Sequence, residues 1–97
     1  MSRISKPMDL NPTFPLGQLV MTPGAQTTFD EKTRAECLQR HAKGDWGDLD
    51  DEDKRSNDQS IRSGGRLMSS YDLVDKQLWI ITEADRSVTT LLLPEEY

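Results

Sequence analysis

QLWIITEADRSVTTLLL, residues 77–93, is the segment around which the rest of this chain is organised. Two apolar segments flank the polar sequence ADRS at 84–87, which contains residue types common in turns. Side chains at alternate positions of each segment would point to opposite faces of a strand. We therefore predict two antiparallel strands that form a β-hairpin.

Both faces of this hairpin are apolar. An antiparallel hairpin with one face in water normally alternates apolar with polar residues, and this one does not. We expect helices to cover one face, and more chain or a second molecule to cover the other. The apolar side chains that would otherwise stand in water are Trp79, Ile81, Leu91 and Leu93.

Upstream of the hairpin, the sequence predicts one or two further strands. Residues 66–71 (RLMSSY) alternate with a period of two and would join the hairpin as a three-stranded meander. Residues 14–21 (FPLGQLVM) form a short apolar segment interrupted by proline and glycine, which favours an edge strand or an extended segment.

Two helices are predicted between these strands. Thr28 and Glu31 have the spacing of a capping box, and Ala35, Leu38 and Ala42 recur at helical spacing behind it. A second helix would run from 51 to 63, with Asp50 as its N-cap and glycines after its end. Between the two helices we expect Trp46 to be a buried anchor, packed with Leu49.

These elements define the fold class and the domain organisation. The prediction is an α+β fold, in which a small antiparallel sheet of three to four strands, with the meander at the C-terminus, carries two packed helices. Residues 14–97 would form a single domain. Residues 1–13 contain two prolines and no periodic pattern, and are predicted to be a flexible N-terminal arm.

Cysteine content and hydropathy indicate the compartment. Cys37 is the one cysteine, so an internal disulfide is impossible. No signal peptide opens the sequence, and no segment approaches the ~18 apolar residues that a membrane-spanning helix needs. We expect a cytoplasmic protein without a membrane partner.

The net charge of −5 is concentrated in one segment. Residues 45–58 hold seven acids and two bases, whereas the acids and bases of the other residues balance. Such a segment repels phosphates, so direct binding of nucleic acid is not expected, and a basic protein surface is the natural partner. The predicted partner-binding residues, called the acidic patch below, are Asp45, Asp48, Asp50, Asp51, Glu52 and Asp53.

No metal or cofactor site is expected. The acids at 48, 50 and 52 alternate like the start of an EF-hand loop, but the sixth position is Asp53 instead of glycine and the twelfth is Gln59 instead of glutamate. His41 and Asp45 are four residues apart and could form an acid–base pair or help to bind a metal. The alternative, which we favour, is that His41 interacts with the helix C-terminus and with Asp45.

The polar turn of the hairpin is a second candidate site. It would form a recognition rim of Glu83, Asp85, Arg86 and Thr89, in which Arg86 binds a charged group. The alternative is an ordinary turn in which Arg86 pairs with Glu83 or Asp85.

Several segments resemble a family of short proteins encoded on plasmids, integrative elements and phages of proteobacteria. The resemblance lies in LGQLVMTPGA (16–25), HAKGDWGDLDDED (41–53), RLMSSY (66–71) and LWIITEADRSVTTLLLPEEY (78–97). Members are called plasmid-related or hypothetical proteins, and some are labelled restriction-system subunits. The resemblance implies a mobile genetic element as the genomic setting, and it implies no catalytic residues.

Three functional hypotheses follow from the sequence. The first is a non-enzymatic interaction protein that inhibits a host defence complex, as an anti-CRISPR or anti-restriction protein, through its acidic surface. The second is a small dimeric regulatory or antitoxin-like protein that uses the apolar sheet. The third, which we favour least, is a small hydrolase or nuclease built on His41.

Overall fold

The computed structural model describes residues 12–97, so the arm predicted at 1–13 lies almost wholly outside the described residues. The described chain forms a four-stranded sheet with strand order β1-β4-β3-β2 and three helices. The elements in chain order are β1 (Gln18–Met21), α1 (Pro23–Thr28), α2 (Glu31–Ala42), α3 (Asp51–Ser63), β2 (Leu67–Leu73), β3 (Lys76–Thr82), β4 (Val88–Leu92) and a terminal 3-10 turn (Pro94–Glu96). The predicted α+β class is confirmed.

The C-terminal meander forms as predicted. β2 pairs antiparallel with β3, and β3 pairs antiparallel with β4. Ile80 lies opposite Leu91, and Trp79 lies opposite Leu92. Cross-strand neighbours share a face of the sheet, so this register decides which residues of β3 and β4 are buried together.

The fourth strand differs from the expected antiparallel arrangement. β1 runs parallel to β4, with Gln18 opposite Val88, and the sheet is therefore mixed. The Gln18 amide donates to the Ser87 carbonyl at 3.0 Å, and the Thr22 amide donates to the Leu91 carbonyl at 3.0 Å. These bonds join segments about seventy positions apart, so local sequence cannot reveal the strand direction.

The region before α2 also differs from the prediction. Residues 23–28 form the short helix α1, in which Thr22 is the N-cap and Pro23 occupies the first turn. Thr28, the predicted N-cap of the next helix, is instead the last residue of α1 and has a helical backbone. Asp30 takes that role, because its Oδ1 accepts from the Thr33 amide at 2.8 Å.

The second predicted helix is confirmed at both ends. α3 spans Asp51–Ser63, and the carboxylate of its N-cap, Asp50, accepts from the Asp53 amide at 2.8 Å. Gly64 ends the helix with a left-handed backbone, φ 90°, which glycine adopts without steric cost.

One face of the sheet, the helix face, packs against α1 and α2. Its core contains Ile80, Leu91 and Leu93 together with Phe29 and Leu38 of the helical region. Leu91 and Leu93 are thus covered by helices. Trp79 and Ile81, which were expected on the same face as these leucines, point to the opposite face because Ile80 is the residue opposite Leu91.

The C-terminal tail packs on the opposite face, the tail face. The Tyr97 ring meets the Trp79 ring edge-on, with centroids 5.7 Å apart, and Ile81 is also buried on this face. Further chain therefore shields the tail face, although Trp79 remains half-buried. None of the helices in the described part of the chain is long and apolar enough to span a membrane.

Candidate functional site

The structure divides the acidic patch into acids with structural partners and acids without them. The Asp45 carboxylate forms a salt bridge with Arg40, Nε to Oδ2 2.7 Å, and accepts from the Gly47 amide at 3.1 Å. The hydrogen bond from Arg40 lowers the pKa of Asp45. Asp48 accepts from the Asp72 amide at 2.7 Å, and Asp50 caps α3. These three acids stabilise the local fold.

The other three acids, Asp51, Glu52 and Asp53, occupy the first turn of α3. All three are exposed, and within residues 12–97 their carboxylates have no hydrogen-bond or ion-pair partner. The positive end of the helix dipole favours carboxylates there, yet three in succession exceed what one helix end needs. Asp72, an exposed acid of β2, lies next to Asp48 and extends the same acidic surface.

The segment around the acidic patch also shields the edge of the sheet. β2 is an outer strand, and its backbone groups at Met68, Ser70 and Asp72 point away from β3. The Ser70 amide donates to the Trp46 carbonyl at 3.2 Å, and the Ser70 carbonyl accepts from the Asp48 amide at 2.6 Å. We call this outer side of β2, which is shielded by residues 46–48 and by Asn57, the covered edge.

Asn57 contributes to this edge from α3. Its side-chain nitrogen donates to the Met68 carbonyl at 2.7 Å, and its oxygen accepts from the Met68 amide at 3.2 Å. The side chain is buried. The sequence analysis did not single out this residue. The one available signal is weak: Asn57 lies four positions before Ile61, the large apolar residue of α3, and so shares its side of the helix.

Two residues fix the segment between α2 and α3 against the sheet. Gly47 has φ 78°, and a Cβ there would collide with the Ser70 carbonyl, so the close approach requires glycine. Trp46 is 3% exposed and its indole nitrogen donates to Asp58 at 2.9 Å. Phe14, Leu49 and Ile61 pack with it, which confirms the predicted buried anchor.

His41 belongs to a buried chain of hydrogen bonds. The Leu16 carbonyl can only accept, so the Thr89 hydroxyl donates to it at 2.7 Å and in turn accepts from Thr82 at 2.7 Å. Thr82 then accepts from His41 Nε2 at 2.9 Å, and His41 Nδ1 accepts from the Ser69 hydroxyl at 2.5 Å. This order assigns the proton of a neutral ring to Nε2.

The environment of His41 opposes both roles predicted for it. Burial lowers its pKa to about 3, and the ring, 0% exposed, packs edge-on against Phe14 and Trp46. The expected interaction with Asp45 is wrong, because Asp45 pairs with Arg40. A hydrolytic histidine must reach both water and substrate, and this ring reaches neither.

The predicted recognition rim is not assembled as one surface. The Arg86 guanidinium donates to the carbonyls of Ser60 at 2.7 Å and Gly65 at 2.6 Å, so it holds the C-terminal end of α3. Thr89 is 0% exposed and belongs to the hydrogen-bond chain of His41, which corrects its placement on the rim.

The two acids of the rim also have local partners. Glu83 forms a salt bridge with Arg66 at 3.4 Å. Asp85 accepts from the Ser87 amide at 3.0 Å, and its hydrogen bonds with Ser87 lower its pKa. The turn thus has the ordinary local hydrogen bonds predicted as the alternative, and Arg86 donates to the backbone carbonyl of Glu83 at 3.1 Å. The predicted ion pair of Arg86 with either carboxylate does not form.

Metal ligation and similarity to known proteins give no further assignment. Among residues 12–97, no group of three or more histidine, cysteine, aspartate or glutamate side chains is arranged to hold a metal ion. No protein-family model, curated protein or solved structure matches the chain. The geometry of the described residues therefore carries the functional proposal.

Proposed function

We propose that this chain is a non-enzymatic protein that binds a basic protein surface through the acidic patch. The observation that carries the proposal is the exposed, unpartnered set of Asp51, Glu52 and Asp53 at the start of α3. Fixed carboxylates on a rigid helix end attract a basic surface and accelerate its association.

The acids with structural partners support the same surface in another way. Asp45, Asp48 and Asp50 hold the loop and the helix start, so they keep the free carboxylates in a defined position. A preordered surface loses less conformational entropy on binding than a flexible acidic tail would.

We further propose that the partner is a nucleic-acid-binding complex of host defence, such as a CRISPR or restriction effector. Such complexes hold nucleic acid in basic channels, and a compact acidic protein can compete for them. The resemblance to proteins of mobile genetic elements supports this partner class.

The test compares two baits that carry the same change in charge. The first is Asp51→Asn/Glu52→Gln/Asp53→Asn, which leaves the cap at Asp50 intact. The matched control changes three exposed acids elsewhere, Glu36→Gln/Asp75→Asn/Glu95→Gln. Both variants should keep the parental circular dichroism spectrum and melt within a few degrees of the parent.

Capture from a bacterial lysate at low and high salt, followed by mass spectrometry, separates the outcomes. At low salt, we expect the parent and the control bait to retain a protein with a basic nucleic-acid-binding surface. Both should release this protein as the salt concentration rises, and the patch variant should fail to retain it even at low salt. Equal retention by all three baits would contradict binding through the acidic patch.

A small dimeric regulatory or antitoxin-like protein is the second candidate function. The observation that favours it is the exposed apolar strand β1, in which Leu19 is 46% exposed and Met21 is 43% exposed. A small hydrolase or nuclease that uses His41 has no such support, because that ring is buried within the core.

A further inference from the structure

β1 forms an outer edge of the sheet that is apolar and exposed. Among residues 12–97, it lies at one end of the strand order and pairs with β4 alone. Its three apolar side chains are Leu19, Val20 and Met21, which are 46%, 36% and 43% exposed. Proteins usually protect such an edge with charges, proline or a covering segment, because it can pair with another strand. We call it the bare edge.

The hydrogen bonds of β1 show which backbone groups are free. The amides of Gln18 and Thr22 donate to the β4 side of the sheet, both at 3.0 Å. Successive residues of a strand point their backbone groups to alternate sides, so those of Leu19 and Met21 point outward. No described residue donates to these groups or accepts from them.

A groove runs alongside the bare edge on the helix face. Leu19 and Met21 lie opposite Thr89 and Leu91 in the register, so their side chains are on the side of α2. The groove has a volume of about 210 Å³. Its walls include Leu19, Met21, Glu31, Arg34, Ala35 and Leu38.

We propose that the bare edge binds a second copy of this chain, with the two β1 strands antiparallel about a two-fold axis at Val20. In this register Leu19 of each copy lies opposite Met21 of the other, and their outward groups form two hydrogen-bonded pairs. Val20 then faces Val20 across the axis as the intervening pair without hydrogen bonds. The alternation of free backbone groups thus makes the edge complementary to itself.

The side chains also fit this arrangement. A two-fold axis perpendicular to the sheet keeps both sets of helices on the same side. Met21 of one copy would then enter the groove beside Leu19 of the other, between the two α2 helices. The exposed apolar side chains of the edge leave water, and the two sheets become one of eight strands.

The distribution of charge favours the same contact. The whole excess of negative charge lies within residues 45–58, and that segment borders β2 at the opposite edge of the sheet. The groove contains one acid, Glu31, and one base, Arg34, so two copies bring balanced charges together. The acidic patches lie at the far ends of the dimer, where their repulsion is screened.

The size of the edge sets the expected strength. A four-residue strand alone falls short of the roughly 800 Å² per partner found in stable complexes, so packing between the two α2 helices must contribute. We therefore expect a reversible dimer that dissociates on dilution. This proposal does not depend on the function of the acidic patch.

Sedimentation equilibrium of the full chain tests the contact. Leu19→Lys/Met21→Lys places two charges in the groove and should raise the dimer dissociation constant at least tenfold. The matched control, Gln59→Lys/Ser63→Lys, adds the same charge at exposed positions of α3 and should leave the constant unchanged. A parent that stays monomeric at millimolar concentration, or a dimer that tolerates the Leu19/Met21 variant, would overturn the proposal.

Cysteine cross-linking tests the register and does not require the charged variant to fold. In Val20→Cys the two cysteines face each other about 4.5 Å apart between Cα atoms, which a disulfide can span. With oxidised glutathione as electron acceptor, we expect a covalent dimer to form at least ten times faster than in Leu19→Cys. Cys37 does not compete, because it is buried and burial raises its pKa.

Equal cross-linking rates for the two cysteine variants would exclude the two-fold axis at Val20. Binding of a strand from another protein or of residues 1–11 at this edge, with the parent monomeric, would likewise overturn the dimer. The Leu19/Met21 variant should lose the dimer and keep its lysate partner, whereas the Asp51/Glu52/Asp53 variant should lose the partner and keep the dimer. The two proposals can therefore fail separately.

Discussion

The two edges of the sheet are built in opposite ways. At the covered edge, the outward groups of Met68 and Ser70 are hydrogen-bonded to Asn57 and to the segment at 46–48. At the bare edge, the outward groups of Leu19 and Met21 have no partner within the described chain. The covered edge is closed to another strand, and the bare edge remains open to one.

The difference between the edges places an acidic surface at one side of the sheet and an apolar surface at the other. The covered edge uses polar groups and loop backbone, which leaves exposed carboxylates on its outer side. The bare edge keeps apolar side chains next to a groove. The buried hydrogen bonds from Ser69 through His41, Thr82 and Thr89 to Leu16 cross the sheet between them.

Truncation of the anchor of the covered edge should have the largest effect on stability. Trp46→Ala removes a buried aromatic side chain and its bond to Asp58, and should lower the free energy of unfolding by about 3–5 kcal/mol. Leu19→Ala, the comparison at the bare edge, should cost less than about 1 kcal/mol because Leu19 is exposed.

Urea unfolding at a concentration where the parent is monomeric measures both changes. If a thermal scan shows Trp46→Ala melting within a few degrees of the parent, Trp46 is not an anchor. The expected difference in stability between substitutions at the two edges would then be contradicted.

Removal of the side-chain cover over Met68 should have an intermediate effect. Asn57→Ala leaves the amide and carbonyl of Met68 without their partners, which should cost about 1–3 kcal/mol. Gln59→Ala, an exposed position on the same helix, is the matched control and should stay within about 0.5 kcal/mol of the parent.

The Asn57 variant also tests the shielding itself. Once part of the covered edge is open, light scattering should show more self-association in Asn57→Ala than in Gln59→Ala. Equal stability of the two variants would mean that water replaces Asn57 without cost.

Protonation of the hydrogen-bond chain should give the smallest effect. The folded-state pKa of His41 is lowered to about 3, below the ordinary value of 6.5, so the unfolded chain binds the proton more readily. Stability is therefore complete above pH 6.5 and declines as the pH falls toward 3. Between pH 7.5 and 5.5, the free energy of unfolding should fall by about 1.4 kcal/mol.

His41 is the single histidine of the chain, so this window isolates its titration from those of most carboxylates. His41→Gln should be less stable overall, yet its free energy of unfolding should be nearly constant from pH 7.5 to 5.5. The same slope in parent and variant, measured by urea unfolding at each pH, would show that another group titrates.

Local sequence was sufficient for several elements. The cap at Asp50, the left-handed glycine at 64 and the alternation in residues 77–93 depend on contacts within a few residues, and α3 and the meander formed as predicted. The burial of Trp46 was also predictable, because a large aromatic side chain in a short connection between two helices buries most apolar area by packing against both.

The start of α2 shows why a local pattern can mislead. Two capping residues, Thr28 and Asp30, compete within three positions, and the sequence does not show that α1 already contains Thr28. The candidate sites depended still more on distant contacts. Arg86 was predicted to bind a charged ligand, but its guanidinium donates to two backbone carbonyls at the C-terminal end of α3, a contact that the local sequence does not reveal.

Both ends of α3, the hairpin and the concentration of charge in residues 45–58 follow from the sequence alone, because capping, alternation and net charge are properties of neighbouring residues. The parallel pairing of β1, the closure of one edge by Asn57 and the burial of His41 depend instead on contacts between distant segments. These outcomes depend on which distant segments exclude water from each other. That competition among long-range contacts leaves no periodic pattern in the chain.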